Sequence, residues 1–275
     1  MNAAHIPWGA GYREAKEGLV SRVLADATAM DGFRAGSPLP EGYGVGIDER
    51  CVEYPWFFSR LSPGEKRLLD AGSSLNHAYV LDSPVMSGRD LHLLTLVPER
   101  DCFWRRGFSY LFADLRDMPV RDGWYDAVAC LSTIEHVGCD TFMYTGRRAD
   151  GSRAAEGRRA ALREMGRVLK PGGCLYLTVP FGLPRRYGSF QQFDRHLLAR
   201  AIGDFGPASV RATFYRYTAR GWQVAREEEC AACDYVGWVA QVWDSNAWPS
   251  PLPVEEDMAA AARAVACCEL AKGGR

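Results

Sequence analysis

The sequence predicts an α/β fold built on an open, mostly parallel sheet, and three observations carry that reading. Short apolar stretches recur at 67–71, 91–97, 109–113, 125–131 and 174–179. Each runs into a polar or glycine-bearing loop, as strands covered on both faces of a parallel sheet do. Helical patterning lies between them, clearest over 153–169, where Leu162, Met165, Val168 and Leu169 form one apolar stripe and Pro171-Gly172-Gly173 ends it.

Taken in order, residues 11–34 place Leu19, Val20, Val23, Leu24 and Ala27 at helical spacing, a core-facing stripe. Residues 35–48 are a Gly/Pro loop. The aromatic stretch Cys51 to Leu61 leads into the first strand. Beyond Pro180 the pattern changes: Phe190–Ile202 reads as helix, Val210–Tyr217 alternates like a strand, residues 244–257 read as a loop, and Ala264–Leu270 reads as a late strand added to the sheet. An extension at 1–60 and one domain at 61–275 follow as the expected organisation.

Composition narrows the function. The 275 residues are 47% hydrophobic, enough for a large core, and carry a net charge of −1. That balance argues against nucleic acid, which requires a basic face. No apolar run reaches membrane-spanning length, and Met1 to Trp8 lacks the basic and apolar regions of a signal peptide. Nine cysteines, with Cys130, Cys174, Cys267 and Cys268 in expected strands, suit free thiols in a reducing cytoplasm. Cys230 and Cys233 have metal-ligand spacing, but one pair is short of the four ligands zinc takes, so no metal is expected.

Ligands bind open parallel sheets at the carboxyl ends of the strands. Here those ends carry Asp70 and Gly72, then Glu99, then Asp114, then Ser132 to His136. The first turn, Asp70-Ala71-Gly72-Ser73-Ser74-Leu75-Asn76, lacks the Gly-x-Gly-x-x-Gly of a dinucleotide-dependent oxidoreductase. Residues 138–152 form a long loop over the strand ends, placed as a lid would be, with Arg147 and Arg148 either facing an anionic substrate group or forming a solvated basic turn.

The segments Leu69-Asp70-Ala71-Gly72-Ser73, Ser132-Thr133-Ile134-Glu135-His136-Val137 and Leu169-Lys170-Pro171-Gly172-Gly173 resemble the class I S-adenosylmethionine-dependent methyltransferases. The likeness is closest to methyltransferase-like proteins found with polysaccharide-biosynthesis enzymes. It is good over about 50–180 and looser beyond. It implies a Rossmann-like, mostly parallel seven-stranded sheet with helices on both faces, and S-adenosylmethionine as cofactor. It further implies a small-molecule or sugar-precursor acceptor methylated on oxygen, or less often on nitrogen. A homodimer is one assembly open to such a chain.

The resemblance also assigns roles. Gly72, Ser73, Ser74 and Asn76 would form the cofactor loop, with Asp70 accepting from the ammonium; many members have glycines where this chain has Ser74 and Asn76. Glu99 would take the ribose diol unless it is simply solvated. Asp114 would take the adenine amine, with Leu115 against the ring, unless Asp114 pairs with Arg116. Ser132 would sit by the cofactor. His136 would be the base, or a structural histidine bound to a carbonyl, with Glu135 orienting it. Two other readings remain: a non-catalytic scaffold that keeps the fold, and an oxidoreductase.

Overall fold

In the computed structural model, which describes residues 5–146, 148 and 153–274, the N-terminal segment contributes three helices: α1 (Tyr12–Ala25), α2 (Ala27–Ala35) and α3 (Arg50–Arg60). The expected single helical stretch at 11–34 breaks at Asp26, whose side chain accepts from the amides of Thr28 and Ala29 and so starts a new helix. The aromatic stretch after residue 50 is α3, buried at every position from Cys51 to Ser59.

The sheet strands in chain order are β1 (Arg67–Ala71), β2 (Asp90–Thr95), β3 (Ser109–Phe112), β4 (Tyr125–Leu131) and β5 (Leu169–Pro180). The short helix α4 (Ala78–Leu81) follows β1, and α5 (Phe142–Thr145) and α6 (Ala154–Val168) lie between β4 and β5. After β5 come the two-residue strands β6 (Arg186–Tyr187) and β7 (Phe190–Gln191), then α7 (Arg195–Phe205), β8 (Ser209–Thr218) and β9 (Gly221–Ala225). The chain continues through α8 (Glu227–Cys230) and α9 (Gly237–Ser245) to β10 (Ala264–Ala271).

The main sheet runs β3-β2-β1-β4-β5-β10-β8-β9. Its first five strands are parallel, and β10 pairs antiparallel to both β5 and β8. The expected class is therefore present, with eight strands in place of seven. The eighth, β9, is a hairpin return from β8, and its edge is sealed by the 35–48 loop: Trp222 N–H donates to Tyr43 O at 2.8 Å, and Gly42 N–H to Arg220 O at 3.1 Å. Gly221 (φ 88°) is required there, because a Cβ would lie 2.3 Å from the Tyr43 carbonyl oxygen.

Alternation along the central strands divides the core into two layers. Leu68 and Ala127 face α1–α3 and α9, with Trp56, Phe57 and Trp222 at the heart of that layer. Leu69, Val128 and Cys130 face α6 and α7. Cys130, Cys174, Cys267 and Cys268 do lie in strands, and all nine cysteines are free.

Three expectations shift. The helix expected from Phe190 begins only at Arg195, where Asp194 accepts from Leu197 N–H at 2.8 Å; Phe190 and Gln191 instead form β7. The loop expected at 244–257 starts later, because α9 extends to Ser245. Within the lid-like loop 138–152, α5 forms and Arg148 reaches Asp140 at 3.1 Å, while Arg147 and residues 149–152 lie outside the described residues.

Candidate active site

The strand order reverses between β1 and β4: β2 and β3 extend on one side of β1, β5 on the other. Loops leaving the carboxyl ends of these two strands diverge and leave a crevice. A cavity of about 440 Å³ lies there, lined by Gly72–Ser74 after β1 and by Ser132, Thr133 and Glu135–Gly138 after β4.

The loop after β1 is organised by Asp70. This side chain is fully buried and accepts from Ser74 N–H (3.1 Å), Ser74 Oγ–H (3.0 Å) and Leu75 N–H (2.7 Å). Burial pushes its carboxyl up to about 7 against those three hydrogen bonds. Asp70 does not line the cavity, so it acts here on the loop. The loop itself is strained where it turns, with Gly72 at φ 119° and Ser73 at φ 61°.

Asn76 is also set back from the cavity. Its amide donates to Glu99 (2.7 Å) and to Asp101 O (2.9 Å), and its oxygen accepts from the Tyr110 hydroxyl (2.7 Å). It thus positions Glu99, which does line the cavity, four residues beyond the end of β2.

Asp114 and Leu115 line the wall that follows β3. Asp114 is bidentate to Arg116, with Nη2 at 2.6 Å and Nε at 2.9 Å, which holds its carboxyl below the usual range despite partial burial. The pairing anticipated as a competing reading is therefore formed, and Arg116 lines the cavity as well.

After β4 the backbone bends sharply, with Ser132 at φ 40°. The Ser132 hydroxyl donates to Glu53 Oε1 at 2.5 Å, and the Thr178 hydroxyl donates to the same oxygen at 2.5 Å. Glu53 Oε2 accepts from Arg50 at 2.8 Å, and Arg50 also donates to Leu131 O at 2.9 Å. The strand end is thereby tied to α3.

His136 bonds through Nδ1 to the Ser189 carbonyl at 2.9 Å. A carbonyl only accepts, so Nδ1 carries the proton and Nε2 is left with a lone pair. Burial lowers the imidazolium to about 4, so the ring is neutral at physiological pH. Glu135 is 2% exposed, and its Oε2 has no hydrogen-bond partner. Burial first, and then nearby carboxylates, raise its carboxyl well above the ordinary range. No hydrogen bond joins the Glu135 and His136 side chains among the described contacts.

Of the residues singled out in the sequence, Gly72, Ser73, Ser74, Glu99, Asp114, Leu115, Ser132, Glu135 and His136 meet in this cavity, whereas Asp70 and Asn76 stand behind it. The sequence reading missed Glu49 and Arg50 from the start of α3, and Tyr144, Phe190, Tyr235 and Trp243. Glu49 is buried and pushed up to about 8, by burial first and then by Asp48 and Glu53. A signal for the α3 pair existed: charged residues at 49, 50 and 53 stand at the head of an otherwise aromatic run.

Residues 88–177 match a family model described as a methyltransferase domain. Among solved structures, a [4+2]-cyclase, SpnF, is similar over 100% of this chain and 99% of its own, with 17% identity and a TM-score of 0.50. A SAM-dependent methyltransferase from Archaeoglobus fulgidus is 13% identical, with 75% and 86% of the two chains covered and a TM-score of 0.45. The Burkholderia thailandensis 1,6-didemethyltoxoflavin-N1-methyltransferase is 10% identical, with 98% and 93% covered and a TM-score of 0.44. No curated protein matches the sequence. The family match is to a methyltransferase domain over residues 88–177, a third of the chain, and the likeness to SpnF is one of fold. No helix among the described residues is long and apolar enough to cross a membrane.

Proposed function

We propose that this chain transfers the methyl group of S-adenosylmethionine to a small-molecule acceptor, with a hydroxyl oxygen as the first atom to test. The observation that carries the reading is the continuity of one cavity from the Gly72–Ser74 loop through Glu99 and Asp114 to Ser132 and His136. Its donor and acceptor set suits the cofactor. Glycine at 72 keeps the loop open to close approach, and Glu99 offers a carboxylate for a diol. Asp114 keeps acceptor capacity for an amino group, and Leu115 supplies an apolar wall for a ring.

The bound cofactor supplies the electrophilic methyl carbon. The chain's work is to align a nucleophile with it and to take up a proton. Nε2 of His136, unprotonated in the tautomer fixed by Ser189, is the acceptor for that proton. With a conjugate acid near 4 it is a weak base, so alignment carries the larger share of the rate.

Titration of the chelator-treated protein with S-adenosylhomocysteine tests cofactor binding: heat and a thermal shift are expected, and their absence would remove the assignment. Because one similar solved structure is a cyclase, the activity assay must follow S-adenosylhomocysteine released during turnover.

A further inference from the structure

We propose that the acceptor molecule carries, apart from the hydroxyl that takes the methyl group, a cationic amine whose ammonium seats against the carboxyls of Glu49 and Glu135 between the rings of Tyr144, Phe190, Tyr235 and Trp243. The inference rests on the methyl-transfer reading above and names the substrate class of that same cavity.

The lining includes the Gly72 loop, Glu99 and Asp114, and also Tyr144, Phe190, Tyr235 and Trp243 with His136, Arg50 and two buried acids, Glu49 and Glu135, whose charges reach Tyr235. Around His136 the ring centroids of Phe190, Tyr144 and Trp243 lie at 5.6, 6.1 and 6.4 Å, and Tyr235 packs on Phe190 at 4.8 Å. Such rings present negative faces that attract a cation.

The two acids lack a strong partner. Glu135 Oε2 is buried at the cavity wall with no hydrogen bond. Glu49, 8% exposed, accepts a long bond from Ala262 N–H at 3.3 Å and one from its own backbone amide, with no side-chain donor bonded to it among its described contacts. Arg50 is the guanidinium whose charge reaches both Glu49 and Glu135, yet its hydrogen bonds go to Glu53 and to the Leu131 carbonyl. The Arg116 guanidinium is committed to Asp114.

A buried carboxyl left without a counter-ion stays protonated. An incoming ammonium supplies the missing charge and donates to the open oxygens. An anionic acceptor would find only Arg50 as a counter-ion, already bonded to Glu53, and a neutral alcohol would leave the cation-binding faces unused.

The test uses matched probes in protein saturated with S-adenosylhomocysteine: tyramine against 2-(4-hydroxyphenyl)ethanol, and tryptamine against tryptophol, titrated to millimolar concentration at neutral pH. Each amine is expected to bind about tenfold more tightly than its alcohol. Glu135→Gln and Glu49→Gln should bring that ratio toward one while leaving the affinity for S-adenosylhomocysteine in place. Should either variant fail to fold, Trp243→Leu should weaken the amine more than the alcohol. Equal or tighter binding of the alcohols, or no binding of any probe, overturns the proposal. A failure of S-adenosylhomocysteine to bind overturns instead the reading on which it rests.

Discussion

Gly72 and Thr133 meet across the crevice between β1 and β4 so closely that a Cβ on residue 72 would lie 2.2 Å from Thr133 Cγ2 and 2.4 Å from its Oγ1. Both loops are held from behind, Gly72 by Asp70 and its amides and Thr133 by the neighbouring Ser132–Glu53 bond. Gly72→Ala should therefore lower the melting temperature and weaken S-adenosylhomocysteine binding. The positive φ alone costs about 1–3 kcal/mol in a non-glycine residue, and the overlap adds to it. Adding Thr133→Gly should restore part of the loss by removing the overlap. Calorimetry and melting of the single and double variants check this; a single variant that melts and binds like the parent would refute it.

Asp114→Ala should weaken S-adenosylhomocysteine roughly ten- to hundredfold, the value of a charge-assisted hydrogen bond of about 1.5–3 kcal/mol. The informative control is Arg116→Ala, which removes the bidentate partner. If Asp114 serves the cofactor, Arg116→Ala should bind it at least comparably to the parent. Equal affinities for the parent and Asp114→Ala would leave the carboxylate as an ion-pair partner alone.

His136→Ala should keep cofactor affinity and lower turnover by about 10²–10⁴-fold if the ring accepts the proton. Because burial holds the imidazolium near 4, any histidine-dependent acid limb of the rate should fall near that pH and not near 6.5. If the ring serves only to hold Ser189, the variant should instead lose stability at unchanged turnover. Rate profiles and melting curves separate the two outcomes once an acceptor is in hand.

Stability should decline as pH rises from about 6.5 to about 8. Glu49 binds its proton more tightly folded, near 8, than unfolded, near 4.5, so its contribution is complete below the lower value and gone above the higher one. Glu135 is raised in the same direction. His136 acts oppositely: its contribution is complete above 6.5 and is lost as pH falls through about 4, so it adds nothing to the slope above 6.5. Asp70, raised to about 7, adds to the lower part of the decline, and each such proton gives at most about 1.4 kcal/mol per pH unit. Melting of the ligand-free protein across this window should show the decline, and Glu49→Gln should lessen it. A flat profile in the parent would contradict the raised carboxyl.

The parallel half of the sheet was legible because each strand carries its own signal, an apolar run with a loop-forming end, as at Leu68–Gly72 or Val128–Ser132. The same locality exposed Gly72, Ser74, Asp114 and His136. What escaped was assembled over distance. Glu53 joins Thr178 across 125 positions and Glu49 joins Ala262 across 213, and neither pairing leaves a mark near either residue. Asn76 shows the same limit: its spacing suggested the cofactor loop, but its bonds to Tyr110, Asp101 and the cavity-lining Glu99 come from residues 23 to 34 positions away. The β9 hairpin was invisible for a related reason, since its five residues become a strand only against β8 and the 35–48 loop.

The anchoring of α3 has a consequence for the order in which the site comes into being. Arg60 at its end bonds to Glu269 in β10 at 2.8 Å, and Glu49 at its start takes the amide of Ala262. A growing chain on the ribosome presents α3 early but must wait for those late residues before the helix can dock at both ends. The β4 and β5 bonds of Arg50 and Glu53 can form as soon as Thr178 is present, so the middle of α3 is tied to the crevice first and its two ends are fastened only when Ala262 and Glu269 arrive.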